Sequence, residues 1–337
     1  MRSLKVIDLF CGAGGSSWGA RKAGAQIIAG FDKWDIAKQV YTDNFPEARF
    51  YGDDIGELDP ELVHAELGDV DLIIASPECT NHSPAKGGGL RCEISKRTAF
   101  QVTRFAAVFL PRWILIENVV SMRRWGSYFE FLRQLAELGY KIKEQILDAS
   151  LFRTPQKRRR LFIFCDREAD PPDILSNPRW HLRSAKSVIR RNAGYQLRPL
   201  RSPGRAMPTL IRADKAIAKL GPTADFLIVY YGSDKGGGWQ SLDRPLRTVT
   251  TLDRFAFVRC NNHVHEMRML QVPELKRAMG MPNKFRIDHG TRREKIKLIG
   301  NAVCPLVMES AVRTLTKNNS KAAPIKRVAA RAEVVAL

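Results

Sequence analysis

The first half of the chain alternates short apolar runs with helical patterns, and this alternation constrains the fold more than any other feature. Five apolar runs have the length of buried strands: 4–10, 25–31, 70–76, 112–118 and 160–165. Residues 127–139 place apolar side chains at helical spacing and end at a glycine. Such alternation predicts an α/β fold with a doubly wound, mostly parallel sheet, in which ligands bind at the carboxyl ends of the strands.

Beyond residue 165 the character of the sequence changes. Proline, arginine and glycine become frequent between 166 and 243, and the alternation of strands and helices is lost. Strand-like sequence returns at 247–258, and a helical stretch follows at 291–317. We therefore predict a first domain over 1–165 plus 291–317, a second, smaller domain over 166–290, and a flexible basic tail over 318–337.

Composition narrows the class of protein. The chain has 337 residues, 44% of them hydrophobic, so it can bury a large core and a smaller one beside it. Its apolar runs fall short of the roughly 18 residues of a membrane-spanning helix, and strand-like sequence begins too early for a signal peptide. We expect a cytoplasmic protein without a membrane partner. Six cysteines without a C-x-x-C pair predict reduced thiols and no metal.

The strongest bulk signal is charge. The chain has 55 Lys and Arg against 35 Asp and Glu, a formal net charge of +20. A general solubility charge is one explanation, but a polyanionic partner is the stronger one, and nucleic acid is the leading candidate. The basic residues concentrate in four stretches: 156–160, 179–191, 197–205 and 291–297.

Glycines and acids follow successive strands. The stretch "DLFCGAGGSSWG" (8–19) is a strand, a Gly-rich turn and a helix start, which suits a nucleoside-containing cofactor. It matches neither the dinucleotide fingerprint nor the phosphate-binding loop. Asp32 follows the second strand, and "YGDDI" (51–55) places another acid at a third strand end. Each acid alone could be a solvated loop residue, but three such features at successive strand ends indicate a ligand site.

A single cysteine follows the apolar run "DVDLIIA", in the stretch "ASPECTNHS" (75–83). A free cysteine is often a buried small hydrophobe, so Cys79 by itself is compatible with a strand cap or with a nucleophile at the mouth of a site. The motifs elsewhere in the sequence have to distinguish a buried strand cap from a nucleophile.

Seven short motifs occur in a fixed order: "DLFCGAGG", the Pro-Glu-Cys segment, "ENV", "QKRRR", "RPLRTVTT", "RMLQVPELKRAMGMP" and "GNAVCP". In order and spacing the chain resembles the DNA cytosine carbon-5 methyltransferases of bacteria and phages, from residue 4 to about 315. The resemblance implies methyl transfer from S-adenosylmethionine to double-stranded DNA, with S-adenosylhomocysteine as product, no metal, and a monomer associated with the nucleoid. It also implies a restriction-modification context.

The resemblance assigns catalytic roles. Cys79 would be the thiolate that adds to carbon 6 of cytosine, since only an ionised thiol is reactive. Glu117 of "ENV" would hold N3 and the exocyclic amine, and Arg160 would hold O2. Arg158 is the other arginine of the motif, and a phosphate contact or a structural role is open for it beside a catalytic one.

Cofactor contacts and DNA contacts are implied in the same way. The expected S-adenosylmethionine ligands are Phe10, Gly12, Gly14, Asp32, Asp54, Ile55, Pro77 and Asn301, of which Phe10 and Ile55 could equally be core residues. The target cytosine must leave the DNA helix. The region 166–243 and the loop 86–97 are expected to contact the DNA around it.

The chain departs from the family pattern at three positions. Glu78 and Thr80 stand where the family usually has proline and glutamine, although Ser83 is kept. A carboxylate beside a thiolate raises the pKa of the cysteine by like-charge repulsion, which would affect the rate. Lys33 replaces an aromatic residue that stacks on the cofactor in many relatives.

Three rival functions have to be compared with DNA cytosine methylation. An RNA cytosine methyltransferase of the same fold would carry a Cys-Phe-Thr segment, which is absent here. An amino-methyltransferase would need neither Cys79 nor Glu117. A catalytically silent DNA-binding relative is the third, with Glu78 as the damaging change.

Overall fold

The structure is a computed structural model that describes residues 3–77, 91–177, 179–231 and 237–317, with only the backbone over 91–97. The expectations for Glu78, Cys79, Thr80 and Ser83 lie outside the described residues. So do residues 86–90 of the expected DNA-contacting loop and the expected flexible tail, 318–337.

The first sheet of the described chain has seven strands in the order β3-β2-β1-β4-β5-β7-β6. Their bounds are β1 (Leu4–Leu9), β2 (Ala25–Phe31), β3 (Arg49–Tyr51), β4 (Leu72–Ala75), β5 (Trp113–Asn118), β6 (Lys141–Asp148) and β7 (Arg159–Asp166). Strands β1 to β5 run parallel, β7 is antiparallel to β5, and β6 is antiparallel to β7. All five predicted strands are confirmed.

Helices cover both faces of this sheet. They are α1 (Gly15–Lys22), α2 (Asp35–Asn44), α3 (Pro60–Leu67), α4 (Arg91–Phe109) and α5 (Tyr128–Glu137). Successive strand residues point to opposite faces, so Val6 packs with α1 and α2 while Ile7 packs with α3, α4 and α5. The doubly wound arrangement is therefore confirmed, as is the helix expected over 127–139. Within the described segments, every helix is too short or too polar to cross a bilayer.

A second, five-stranded antiparallel sheet has the order β10-β9-β11-β12-β8 in the described part of the chain. Its strands are β8 (Arg198–Pro199), β9 (Phe226–Val229), β10 (Trp239–Ser241), β11 (Phe255–Asn261) and β12 (Val264–Met269). Helix α6 (Met207–Leu220) covers one face. On the other face, Leu227 and Phe257 join the same apolar core as Leu72 and Phe162 of the first sheet.

The C-terminal region differs from the single helix expected over 291–317. After α7 (Val272–Ala278), the chain forms α8 (Arg292–Asn301) and α9 (Pro305–Leu315) with a break between them. Proline lacks a backbone N–H and favours the first turn of a helix, so Pro305 begins a new helix. Helix α9 packs against α1 so closely that a Cβ on Gly19 would lie 2.5 Å from the Pro305 carbonyl oxygen.

One buried ion pair anchors β12 to α7. Arg268 and Glu274 are 5% and 0% exposed and form two parallel hydrogen bonds of 2.7 and 2.8 Å. The same carboxylate accepts the backbone N–H groups of Arg190 and Gln271, each at 2.8 Å. A buried charge is tolerated when it is paired and fully hydrogen-bonded, and this carboxylate meets both conditions.

Candidate active site

The candidate site residues that the structure describes meet at one edge of the first sheet. The carboxyl ends of β1, β2, β3, β4 and β5 lead to Phe10, Asp32, Asp54, Pro77 and Glu117, respectively. Because β7 is antiparallel to β5, its first residues, including Arg160, lie at the same edge. Asn301, at the break between α8 and α9, is held near this edge because Arg158 donates to the carbonyls of its two neighbours, Gly300 and Ala302.

The Gly-rich turn after β1 has an unusual backbone. Phe10, Gly12 and Gly14 all have positive φ, at 61°, 52° and 87°. A Cβ on Gly14 would lie 2.4 Å from the Phe45 ring, whereas a Cβ on Gly12 would meet no atom within 4 Å. Gly14 is therefore required for packing, while Gly12 leaves open space beside its backbone, where a ligand can approach closely. Phe10 is partly buried against the core.

Two acids follow the next strands along the sheet edge. The carboxylate of Asp32 accepts the N–H of Gly12 at 2.9 Å and that of Trp34 at 3.0 Å. Asp54 forms an ion pair of 2.7 Å with Lys33, and this contact, followed by the N–H of Gly56, holds the pKa of Asp54 below its usual value. Asp32 therefore joins the Gly-rich turn after β1 to the end of β2. Ile55 is buried in the core, with 5% exposure.

The segment that leads to Cys79 is fixed next to β5. Pro77, the last described residue before the gap, is buried, and its carbonyl accepts a hydrogen bond of 3.1 Å from the side chain of Asn118. Asn118 follows Glu117 directly in β5. The Pro77–Asn118 contact therefore places the chain two residues before Cys79 beside Glu117. Sequence reasoning did not single out Asn118, although it stands inside the "ENV" motif.

Glu117 and Arg160 form the charged centre of the site. Glu117 is 5% exposed, and Arg160 Nε lies 3.2 Å from Glu117 Oε1. The N–H of Arg160 does not point at this oxygen, so the contact is an ion pair without hydrogen-bond geometry, and Oε1 retains its lone pairs. Burial raises the pKa of Glu117, and the charges of Arg160 and Arg158 offset part of that rise. Glu117 therefore holds its proton to higher pH than an exposed glutamate does.

Arg158 has a different environment from Arg160. It is 3% exposed and donates to three backbone carbonyls, those of Val249 at 2.9 Å, Gly300 at 2.8 Å and Ala302 at 3.1 Å. Burial, followed by the charge of Arg160, lowers its pKa to about 10, so the guanidinium remains charged at neutral pH.

A small pocket lies between these charged residues and α9, lined in part by Glu117, Arg158, Arg160, Val303 and Cys304. Burial raises the pKa of Cys304 to about 11, which keeps this thiol neutral. Asn301, one turn of chain away, is exposed. Among the described residues, no cluster of His, Cys, Asp and Glu has the size needed to hold a metal ion.

Gln156 is a connecting residue that sequence reasoning missed. Its side chain accepts the N–H of Val249 at 2.7 Å and donates to the carbonyl of Ala278 at 3.2 Å. Adjacent backbone bonds join Lys157 to Leu246 at 2.7 Å and Leu246 to Pro155 at 2.9 Å. The "QKRRR" and "RPLRTVTT" motifs are thus paired side by side. Because Gln156 and Val249 are 93 residues apart, no local pattern could have revealed the contact.

Asp8 is a buried acid beneath the Gly-rich turn. It is 0% exposed, and its Oδ2 accepts the N–H and hydroxyl of Ser17 at 3.1 and 2.6 Å, while Oδ1 has no hydrogen-bond partner among the described residues. Burial raises the pKa of Asp8 to about 7, although both bonds from Ser17 oppose the rise.

We expect Asp8 to make the protein less stable as pH rises. In an unfolded chain an aspartate has a pKa of about 4, whereas the pKa of Asp8 in the folded protein is about 7. Between these two values the folded state binds a proton that the unfolded state has lost. The free energy of unfolding should therefore fall with pH across this window, by up to about 1.4 kcal/mol per unit. Asp8→Asn should remove this slope, as measured by urea unfolding from pH 4 to 8.

Ser17→Ala is the matched comparison for this measurement. It removes one bond that favours the ionised carboxylate, so the decline should extend to higher pH than in the unchanged protein. A profile for Asp8→Asn that runs parallel to the unchanged protein would show that Asp8 is ionised throughout the range.

Comparisons with known proteins agree with this architecture. A family profile described as C-5 cytosine-specific DNA methylase matches residues 4–317. The type II methyltransferase M.HgiDI of Herpetosiphon aurantiacus is 27% identical over 317 residues, which cover 89% of this chain and 90% of that protein. The type II methyltransferase M1.HphI of Haemophilus parahaemolyticus is 25% identical over 94% of this chain and 88% of its own length.

Solved structures show the same fold at lower identity. A mutant form of DNMT2 from Spodoptera frugiperda superposes with a TM-score of 0.70 at 18% identity, covering 93% of this chain and 99% of that one. This likeness shows that the two chains share one α/β fold. The family match is more specific: the chain belongs to the C-5 cytosine-specific DNA methylases and is an S-adenosylmethionine-dependent DNA cytosine methyltransferase.

Proposed function

We propose that the chain flips a cytosine out of duplex DNA and methylates its carbon 5, with Cys79 as the attacking thiolate. The observation that carries this proposal is the buried Glu117–Arg160 ion pair beside the anchored Pro77. An acid, a fixed cation and the approach to a cysteine are thereby gathered at the ligand-binding edge of the sheet.

Carbon 5 of cytosine is a poor nucleophile, and the proposed residues overcome this in stages. The sulfur of Cys79 forms a bond to carbon 6, and electron density moves toward carbon 5, N3 and O2. Glu117 supplies a proton or hydrogen bond at N3, and Arg160 neutralises charge at O2. After methylation, carbon 5 loses its proton to a solvent base, N3 returns its proton to Glu117, and the carbon–sulfur bond breaks, which restores the ring and the thiolate.

The sheet edge also fits a nucleoside cofactor. Bound S-adenosylmethionine would supply an electrophilic methyl group on a sulfonium centre. The open space beside Gly12 admits a ligand against the backbone, and Asp32 would accept the ribose hydroxyls. Asp54 and Ile55 would border the adenine, Phe10 and Gly14 would shape the turn, and Pro77 and Asn301 would close the site. Lys33, paired to Asp54, takes the place of a stacking aromatic ring.

DNA would be held at the sheet edge that carries Glu117 and Arg160 and by the basic stretches of the second domain. A net charge of +20 supports phosphate binding. The segment 166–243 is the proposed reader of flanking bases, and the domain bounds 1–165 plus 291–317 and 166–290 stay a prediction. A protein that acts on genomic DNA in this way would work as a monomer at the nucleoid.

Two rival functions are separated from this proposal by one experiment. The chain is incubated with radiolabelled S-adenosylmethionine and either duplex DNA or transfer RNA, and then with a duplex that contains 5-fluorocytosine. We expect label in DNA and a denaturant-resistant adduct with the fluorinated duplex, because fluorine at carbon 5 blocks the final elimination. Label in transfer RNA alone would favour the RNA enzyme, and binding of duplex DNA without label would indicate a silent DNA-binding relative.

A further inference from the structure

The structure assigns Arg158 a positioning role: we propose that its guanidinium couples the cofactor side of the site to the base-binding side, and does not contact the target base. This inference rests on the proposed function. Its basis is that the buried side chain of Arg158, which directly precedes β7, binds two other chain segments, the "RPLRTVTT" motif and the α8–α9 break.

Both terminal nitrogens of Arg158 are engaged by backbone carbonyls, and Nε is its one donor group without a partner among the described residues. Nη1 donates to the Val249 carbonyl, and Nη2 donates to the carbonyls of Gly300 and Ala302. These two carbonyls flank Asn301, the residue proposed to close the cofactor site. Arg160, two residues further along the chain, faces Glu117 instead. Two arginines at the start of β7, Arg158 just before it and Arg160 within it, therefore face the cofactor-closing segment and the reacting base, respectively.

The guanidinium shape is essential to this arrangement. Its planar fork donates in two directions at once, whereas the ammonium of lysine is a compact point charge on a flexible stem. The three segments also approach each other closely, since a Cβ on Gly300 would lie 2.4 Å from the carbonyl carbon of Thr250. Without the fork, two backbone carbonyls that are buried beside Asn301 would lose their donors.

Arg158→Lys tests the proposal through cofactor affinity in the absence of DNA. We expect the dissociation constant for S-adenosylhomocysteine, measured by isothermal titration calorimetry, to rise about tenfold because the Gly300–Ala302 segment is no longer held. Alkylation of Cys304, which is 3% exposed beside Arg158, should accelerate by about the same factor in peptide mass spectrometry. A purely base-contacting arginine would change neither quantity.

Two further variants complete the experiment. Arg112→Lys alters a partly buried, ion-paired arginine, with a side chain 14% exposed, at the opposite edge of the same sheet, and should leave cofactor affinity unchanged. Gly300→Ala leaves Arg158 intact but displaces the segment that Arg158 holds, so it should also weaken cofactor binding. If Arg158→Lys does not fold, the cofactor affinity of Gly300→Ala carries the test. The inference is overturned if Arg158→Lys loses methyl transfer while its cofactor affinity is unchanged. It is also overturned if Arg112→Lys loses as much cofactor affinity as Arg158→Lys. Absence of binding by the unchanged protein contradicts the proposed function instead.

Discussion

Cys79→Ser is expected to lower the rate of methyl transfer by about 10³-fold or more, because a serine hydroxyl is hardly ionised at neutral pH and is a far weaker nucleophile than a thiolate. Transfer of radiolabelled methyl groups to duplex DNA measures this effect. The same variant should form no denaturant-resistant adduct with a 5-fluorocytosine duplex, since the proposed adduct is a carbon–sulfur bond to residue 79. Binding of S-adenosylhomocysteine should persist.

Cys260→Ser provides the matched control for a cysteine-to-serine change. This thiol lies on β11, is only partly buried, and donates to the Pro222 carbonyl at 3.4 Å, far along the chain from the sheet-edge site. It should transfer label at the rate of the unchanged protein. Undiminished labelling by Cys79→Ser would eliminate Cys79 as the nucleophile.

Glu117→Gln is expected to reduce methyl transfer by about 10² to 10⁴-fold, the range usually lost with a general acid. Glutamine has nearly the same shape and can donate an N–H, but it cannot deliver a proton to N3. The effect should be large because burial raises the pKa of Glu117, so the side chain keeps its proton closer to neutral pH than an exposed glutamate does. Single-turnover label transfer measures the chemical step directly.

The expected pattern for Glu117→Gln is a lost chemical step with retained cofactor affinity. Calorimetry with S-adenosylhomocysteine should give a dissociation constant close to that of the unchanged protein, because Asp32 and the Gly-rich turn are untouched. Glu168→Gln, which removes an acid paired to Arg112 at the opposite edge of the sheet, is the matched control and should keep full activity. Loss of cofactor binding in Glu117→Gln would mean that this acid belongs to the cofactor site.

Much of the site was predictable because its residues follow strands. Asp32 and Glu117 could be placed from local patterns, since an apolar run reveals its strand and parallel strands share one carboxyl edge. Strand β6 was not predicted from its sequence, which mixes charged and apolar residues. It is an edge strand, and most of its side chains are only partly buried, so its apolar signal is weak.

The helix over 291–317 shows a limit of local patterns. Apolar spacing continues through this stretch, but the chain turns between Asn301 and Pro305 because α9 must pack on α1. Tight contacts at Gly15 and Gly19 of α1 determine where α9 begins. At this break the carbonyls of Gly300 and Ala302 accept hydrogen bonds from Arg158.

By itself, the sequence determined the class of fold, the family and the residue types of the site, because apolar periodicity and motif order are local properties of the chain. Only the tertiary structure decided the different environments of Arg158 and Arg160, which stand two residues apart in one motif. Their roles depend on partners such as Glu117, Val249 and Gly300, which are tens to more than a hundred residues distant. A side chain's function follows from those partners, and folding alone brings them together.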